Sequence, residues 1–225
     1  MIKIRDLSKR YSTVDGDVIA LDGVSLTIDS GDFVAVVGRS GSGKTTLLNM
    51  IAGLDTPDTG SIKIDGDEIA GASEDTLAAW RRSRIGVIYQ FYNLIPELTI
   101  SENITLPAEL DRRDIDNEWL SEILTAVGLD DRKNAFPTSL SGGQQQRAAI
   151  ARALYNKPSL ILADEPTGNL DGENSADIMS RLMALNESGI TLVVVTHSDE
   201  VSKHSKRIIR LADGRVVDDT DRSTT

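Results

Sequence analysis

The chain of 225 residues contains no cysteine, which excludes disulfides and thiolate metal sites but identifies no compartment. Long apolar runs are also missing: stretches such as Phe33–Val37 and Leu192–Val195 fall far short of the roughly 18 to 20 residues that cross a bilayer. The start, Met1-Ile2-Lys3-Ile4-Arg5-Asp6, lacks the apolar region of a signal peptide. These absences predict a cytoplasmic location without direct bilayer insertion. The arginines are scattered, and the net charge of −11 argues against a nucleic-acid partner, which needs a basic stripe. The clusters Arg81-Arg82-Ser83-Arg84 and Arg112-Arg113 read as solvated helix faces. The acidic balance is carried by 24 Asp against 11 Glu, with 16 Arg against 8 Lys. That bias fits an ordinary acidic soluble protein, or one adapted to a salt-rich cytoplasm where screening relieves self-repulsion. No stretch is repeated or low in complexity, and the length suits one domain with an insertion.

What is present is a phosphate-binding loop. Gly38-Arg39-Ser40-Gly41-Ser42-Gly43-Lys44-Thr45 matches G-x-x-x-x-G-K-[ST] between the apolar run Phe33–Val37 and a helix-like stretch to Ile51. Glycines let backbone N–H groups curl around phosphate oxygens, and the following helix turns its positive end toward them. Lys44 then reaches the β- and γ-phosphates and Thr45 binds Mg²⁺, with Thr46 beside it. ATP and Mg²⁺ are the expected ligands.

The chain before the loop reads as short strands, Ile2–Arg5 and Val24–Ile28, with Tyr11 in a polar loop between them. A hairpin is expected around Asp65-Gly66, a helix over Ser73–Arg82 and a buried strand over Ile85–Tyr89 ending at Gln90. Phe91–Leu98 is apolar yet interrupted by Pro96, which fits a hinge or contact loop. Thr99 and Glu102 form a capping-box pattern, and periodic apolar positions through Val127 predict a small helical subdomain. Helices over Gly142–Leu154 and Gly172–Leu185 then alternate with strands at Leu160–Ala163 and Ile190–Val195. Strands at Arg207–Leu211 and Arg215–Val217 follow. Apolar strands alternating with helices imply a mostly parallel sheet covered on both faces, with ligands at the carboxyl ends of its strands.

Leu160-Ile161-Leu162-Ala163-Asp164-Glu165 places two carboxylates at such an end. Asp164 suits the metal ion, and Glu165 suits the base that polarises the attacking water. An acidic strand-end turn is the bland alternative, outweighed by the phosphate loop upstream. His197, after the strand Thr191–Thr196, can bond the γ-phosphate or position Glu165, whereas His204 reads as solvated. Leu140-Ser141-Gly142-Gly143-Gln144 is a helix start with a capping box, but its two glycines also leave amides open to an anion. One chain thus carries two phosphate-type helix ends for one γ-phosphate.

These motifs, in this order, resemble the ATP-binding cassette subunits of membrane transporters over essentially the whole chain. The resemblance implies a P-loop nucleoside triphosphate hydrolase fold: a mostly parallel sheet flanked by helices, an N-terminal antiparallel part, and a helical subdomain inserted at about 91–141. It makes Gly38–Thr45 the Walker A loop, Leu160–Glu165 the Walker B strand with its catalytic glutamate, and Ser141–Gln144 the signature motif. Asn169-Leu170-Asp171 is the D-loop, although Gly168-Asn169 replaces the more usual Ser-Ala. Gln90 takes the place of the Q-loop glutamine among the metal-site residues, His197 that of the switch histidine, and Tyr11 that of the aromatic stacked on adenine. Lys44, Glu165 and His197 are the catalytic set. The resemblance further implies an ATP-dependent head-to-tail homodimer, in which Ser141 and Gly143 of one copy close on the nucleotide held by the other. It also implies a separate integral membrane permease at the inner face of the cell membrane, docked at Phe91–Leu98. Gln90 followed by Phe91–Pro96, then Ser101–Ile104 and Leu106-Pro107, together with Ser141–Arg147 and Pro166–Asp171, resemble the lipoprotein-releasing, macrolide-export and related peptide-export branch. Leu110–Trp119 is short and acidic against that branch. A cell-division-type regulatory complex that transports nothing fits the same motifs. A soluble cassette for DNA repair or translation would call for coiled coils or fused cassettes, and a P-loop kinase would have no use for Ser141–Gln144.

Overall fold

The computed structural model describes residues 1–14 and 16–222. Strands β1 (Ile2–Thr13) and β2 (Gly16–Ile28) form a long antiparallel hairpin. Its pairing shifts register three times between Ile4 and Arg10. Each shift breaks the strict alternation that marks a strand in sequence. Two short strands and a loop were therefore expected where the chain builds two long bent ones, and Tyr11 lies within β1 rather than in a loop.

After β3 (Phe33–Val37) come α1 (Lys44–Ile51), β4 (Thr59–Ile64) and β5 (Asp67–Glu68), the last two pairing around Asp65-Gly66. Strands β2, β1, β4 and β5 make one four-stranded antiparallel sheet. Helix α2 (Glu74–Arg84) leads into β6 (Ile85–Ile88). Next are α3 (Ile100–Leu110), α4 (Asn117–Val127) and α5 (Gly142–Tyr155), then β7 (Leu160–Asp164), α6 (Gly172–Glu187) and β8 (Thr191–Thr196). A short α7 (Asp199–Lys203), β9 (Arg207–Ala212) and β10 (Arg215–Asp221) follow, and two single-turn 3-10 helices, Asp130–Arg132 and Pro137–Ser139, lie between α4 and α5. The second sheet runs β10-β9-β3-β8-β7-β6, parallel except for β10 at its edge.

The parallel strands are apolar on both faces because each face has its own cover. Val34, Val36, Leu160, Leu162, Val193 and Val195 point into a core shared with α1 and the antiparallel sheet. Their neighbours Ile161, Ala163, Leu192 and Val194 pack on the other side with Ile178 and Leu182 of α6. Helix α1 is thereby clamped between two sheets through Leu47, Leu48, Met50 and Ile51, which fixes the loop in front of it.

The helical region has its own core of Ile100, Ile104, Ile123, Leu124 and Val127, but Ala148, Ala151 and Tyr155 of α5 belong to it too. Ile150 and Ala153 of the same helix face the sheet. Alanine-rich α5 is thus the shared wall between the helical region and the sheet, packed closely on both sides. Arg81 and Arg82 differ from the expected solvated face. Arg81 donates to the Gly53 carbonyl and Glu74, and Arg82 to Asp111, both from half-buried positions. Long stems on an amphipathic helix allow this, since the guanidinium reaches partners the sequence does not reveal.

Candidate functional site

The carboxyl ends of β3, β7 and β8 meet the β1–β2 hairpin around a cleft of about 740 Å³. Ser40, Gly41, Gly43, Lys44, Thr45 and Thr46 line it, as do Tyr11, Gln90, Asp164, Glu165 and His197. Val195 of β8 also lines it, and Val18 and Ala20 of β2 complete the wall. Sequence reading missed these two because nothing local marks a strand residue as facing a ligand.

At the loop, Gly43 is the N-cap of α1 with φ 100°, no side-chain cap and no acidic residue in the first turn. A Cβ at Gly43 would also overlap the Ala20 carbonyl oxygen, so glycine is required for both its torsion and the close approach. The helix end therefore keeps uncompensated amides and its positive dipole. Ser42 Oγ is buried with no hydrogen-bond partner among the described residues. Lys44, only 8 % exposed, donates from Nζ to the carbonyls of Gly38 and Arg39 at 3.0 Å each. The Gly214 amide donates to the Ser42 carbonyl at 3.2 Å, fastening the loop to the β9–β10 turn. An open helix end, an unpartnered buried hydroxyl and a sequestered ammonium group suit a polyphosphate.

Thr45 Oγ1 lies 3.5 Å from Asp164 Oδ1. Burial pushes the Asp164 carboxyl above its ordinary value; the Thr45 hydroxyl opposes this, the neighbouring Glu165 charge adds to it, and Lys44 opposes it. Among the described residues no group of three or more His, Cys, Asp or Glu could hold a metal ion. A hydroxyl, a carboxylate and the Gln90 amide instead suit a hard cation that takes its remaining oxygens from phosphate and water.

Glu165 is the most tightly held member. Its Oε2 accepts from Thr196 Oγ1 at 3.0 Å, and its Oε1 from the His197 amide at 3.0 Å. His197 Nδ1 lies 2.6 Å from the same Oε1. The residue has φ 46°, an uncommon torsion for a non-glycine residue. Its amide is tied to the Val195 carbonyl at 2.9 Å, and its carbonyl accepts from the Gly168 amide at 3.0 Å. Thr196, which the motif reading passed over as strand, supplies one of the three contacts.

Ser141, Gly142, Gly143 and Gln144 do not line this cleft. Ser141 caps α5 with a complete capping box to Gln144. A Cβ on Gly143 would overlap the Asn174 side chain, which is fastened to both carboxylate oxygens of Asp171. Asn169 donates to the Gln90 carbonyl at 3.0 Å, so the unusual D-loop residue binds the Gln90 segment of its own chain. Beyond Gln90, Tyr92 and Asn93 both have positive φ, and Arg152 of α5 donates to both carbonyls. Asn103, fully buried, holds Ile95 through its amide and carbonyl and also donates to the carbonyls of Leu98 and Thr99. Phe91 is 72 % exposed. His204, the helix-end residue after α7, is exposed as expected.

A phosphate loop at the carboxyl edge of a parallel sheet, with Asp164 and Glu165 at the end of β7, one strand removed from β3 across β8, defines a P-loop nucleoside triphosphate hydrolase. The family model described as ABC transporter matches residues 21–168. The chain is 46 % identical over 220 residues to the uncharacterized ABC transporter ATP-binding protein MJ1508 of Methanocaldococcus jannaschii, covering 97 % of this chain and 98 % of that protein. It is 46 % identical to the macrolide export ATP-binding/permease protein MacB of Bdellovibrio bacteriovorus over 97 % of this chain, but spans only 34 % of that relative. A dimeric post-hydrolysis structure of the ATP-binding cassette MJ0796, bound to ADP and Pi, superposes with a TM-score of 0.92 at 42 % identity over 99 % of both chains. The chain belongs to the ABC transporter family and is an ATP-hydrolysing cassette. Among the described residues no helix is long and apolar enough to cross a membrane.

Proposed function

We propose that this cassette binds ATP with Mg²⁺, pairs head to tail with a second copy, and couples hydrolysis to a membrane permease on another chain. The grip on Glu165 by Thr196 and His197, in the same cleft as Lys44, carries the reading. The chain is read as one cassette unit with an inserted helical part at about 91–141.

The amides of Gly38–Thr45 and the Lys44 ammonium group hold the triphosphate, with Arg39, Ser40 and Ser42 shaping the loop and Thr46 following it. Thr45, Asp164 and Gln90 hold Mg²⁺, which when bound neutralises charge on the β- and γ-phosphate oxygens. Glu165 takes a proton from water as its oxygen attacks the γ-phosphorus. The bond to the β–γ bridging oxygen breaks, giving ADP and inorganic phosphate. His197 keeps Glu165 aimed. Asp164 pairs with a cation rather than titrating alone, which offsets the burial that raises its pKa.

Because Ser141–Gln144 lie outside the cleft that holds Lys44, the second helix end is supplied by the other copy. Ser141 and Gly143 then complete the γ-phosphate shell across the interface, with Gly142 and Gln144 shaping that helix start. The relative that this chain spans nearly end to end is named an ATP-binding protein, while the MacB relatives combine ATP-binding and permease parts. Their macrolide-export names favour an export-type permease at the inner face of the membrane. The segment Phe91–Leu98, joined to the site at Gln90 and exposing Phe91, is its docking surface.

Glu165→Gln removes the base and keeps the shape. The variant is expected to elute as a dimer in MgATP and as a monomer without nucleotide. A monomer at saturating nucleotide and protein would count against the head-to-tail pair.

A further inference from the structure

Tyr11 is held from outside the cleft that it lines. It stands opposite Val18 across the β1–β2 pair, and both face the cleft. Its phenol donates to Asp55 Oδ2 at 2.6 Å. Asp55 Oδ1 in turn accepts from Lys9 Nζ at 2.8 Å and from the Thr56 amide at 2.7 Å. The Lys9 ammonium also donates to the Thr56 carbonyl at 2.7 Å and sits over the Tyr11 ring, 5.2 Å from its centroid. A strand residue, its neighbour two positions back and a residue of the turn after α1 therefore close on one another. Neither Lys9 nor Asp55 lines the cleft.

The ammonium group covers one face of the ring by cation–π attraction, leaving the other for a flat partner. An aromatic side chain without such anchors would lose rotamer freedom when a base stacked on it; fixing it beforehand removes that cost. The charge states suit the arrangement. Burial and then the Asp55 contact push the Tyr11 phenol up, against a smaller opposing contact from the Thr46 hydroxyl, so it remains a donor. Burial works to raise Asp55, but its bonds from Lys9, Tyr11 and Thr56 hold it below the usual carboxylate value, so it remains an acceptor.

We propose that Asp55, locked by Lys9, is the positioning residue of the base-binding platform. It orients the Tyr11 ring and so sets affinity for the nucleoside part of the ligand, independently of the triphosphate grip. This rests on the reading of the cleft as an ATP site.

The test measures steady-state hydrolysis of MgATP, with magnesium tripolyphosphate as a base-free competitor, in wild type, Asp55→Ala, Asp55→Asn and Tyr11→Ala. Asp55→Ala is expected to raise the KM for ATP about 3- to 10-fold, with kcat changed less than twofold and tripolyphosphate inhibition unmoved. Asp55→Asn, which still accepts from Tyr11, should recover part of the loss. An unchanged KM in Asp55→Ala, while Tyr11→Ala raises it, would overturn the role of Asp55 alone. Equal losses for ATP and tripolyphosphate would also overturn it, by assigning Asp55 to the fold. No effect of Tyr11→Ala would overturn the stacking platform and the proposal with it.

Discussion

Asp164→Asn should make the nucleotide-free protein more stable while abolishing its Mg²⁺-dependent hydrolysis. The Asp164 carboxyl is half-buried beside the Glu165 carboxylate, and its pKa is raised, first by that burial. The folded protein therefore holds this proton longer than the unfolded chain does. Stability from this group is complete below the ordinary Asp value and declines as pH rises through the raised folded-state value. Asparagine never ionises and keeps an oxygen toward Thr45. Its advantage over wild type should open across that pH window and stay level above it. Removing such a functional-site conflict commonly yields about 0.5–2 kcal/mol, and each kcal/mol moves Tm by about 2–4 °C in a chain of this size. Calorimetry between pH 4 and pH 8, without nucleotide, reads the effect directly. Ligand at a hundredfold over its Kd adds about 2.7 kcal/mol to a binding-competent protein, and the variant should lose much of that gain in MgATP. A variant no more stable than wild type at pH 8, or a gap independent of pH, would refute the reasoning.

Two further substitutions test the scaffold. Asn103→Ala leaves the Ile95 amide and the Ile95 and Leu98 carbonyls without their buried partner, so urea unfolding should show a loss of about 2–4 kcal/mol, with faster amide exchange at Ile95; a loss below about 0.5 kcal/mol would remove Asn103 as the latch of that segment. Gly143→Ala drives a methyl group into the Asn174 side chain that Asp171 holds, costing about 1–3 kcal/mol by thermal unfolding. Adding Asn174→Ala should return part of that loss, and a single variant with unchanged Tm would show that Asn174 swings away freely.

The candidate site was legible wherever chemistry is written in adjacent residues. Gly38–Thr45, Asp164-Glu165 and Ser141–Gln144 announce themselves because a phosphate loop, a strand-end carboxylate pair and a capping box each depend on neighbours in the chain. The strands and helices of the second half were readable for the same reason, since their periodicity is local. The β1–β2 hairpin was not, because register shifts scatter the alternation. Arg81 and Arg82 read as solvated because their partners Gly53 and Asp111 are 28 and 29 residues away.

The sequence by itself determined the glycine-rich loop, the carboxylate pair at a strand end and the helix start at Ser141, because backbone torsion, capping and strand period act over a few residues. Only the tertiary structure decided that Thr196 and His197 grip Glu165, that Asn103 latches the loop after Gln90, and that Asp55 anchors Tyr11 across 44 positions. Thr196 and Asp55 carried no motif. Thr196 reaches Glu165 because β8 pairs in parallel with β7, and Asp55 reaches Tyr11 because the turn after α1 lies against β1.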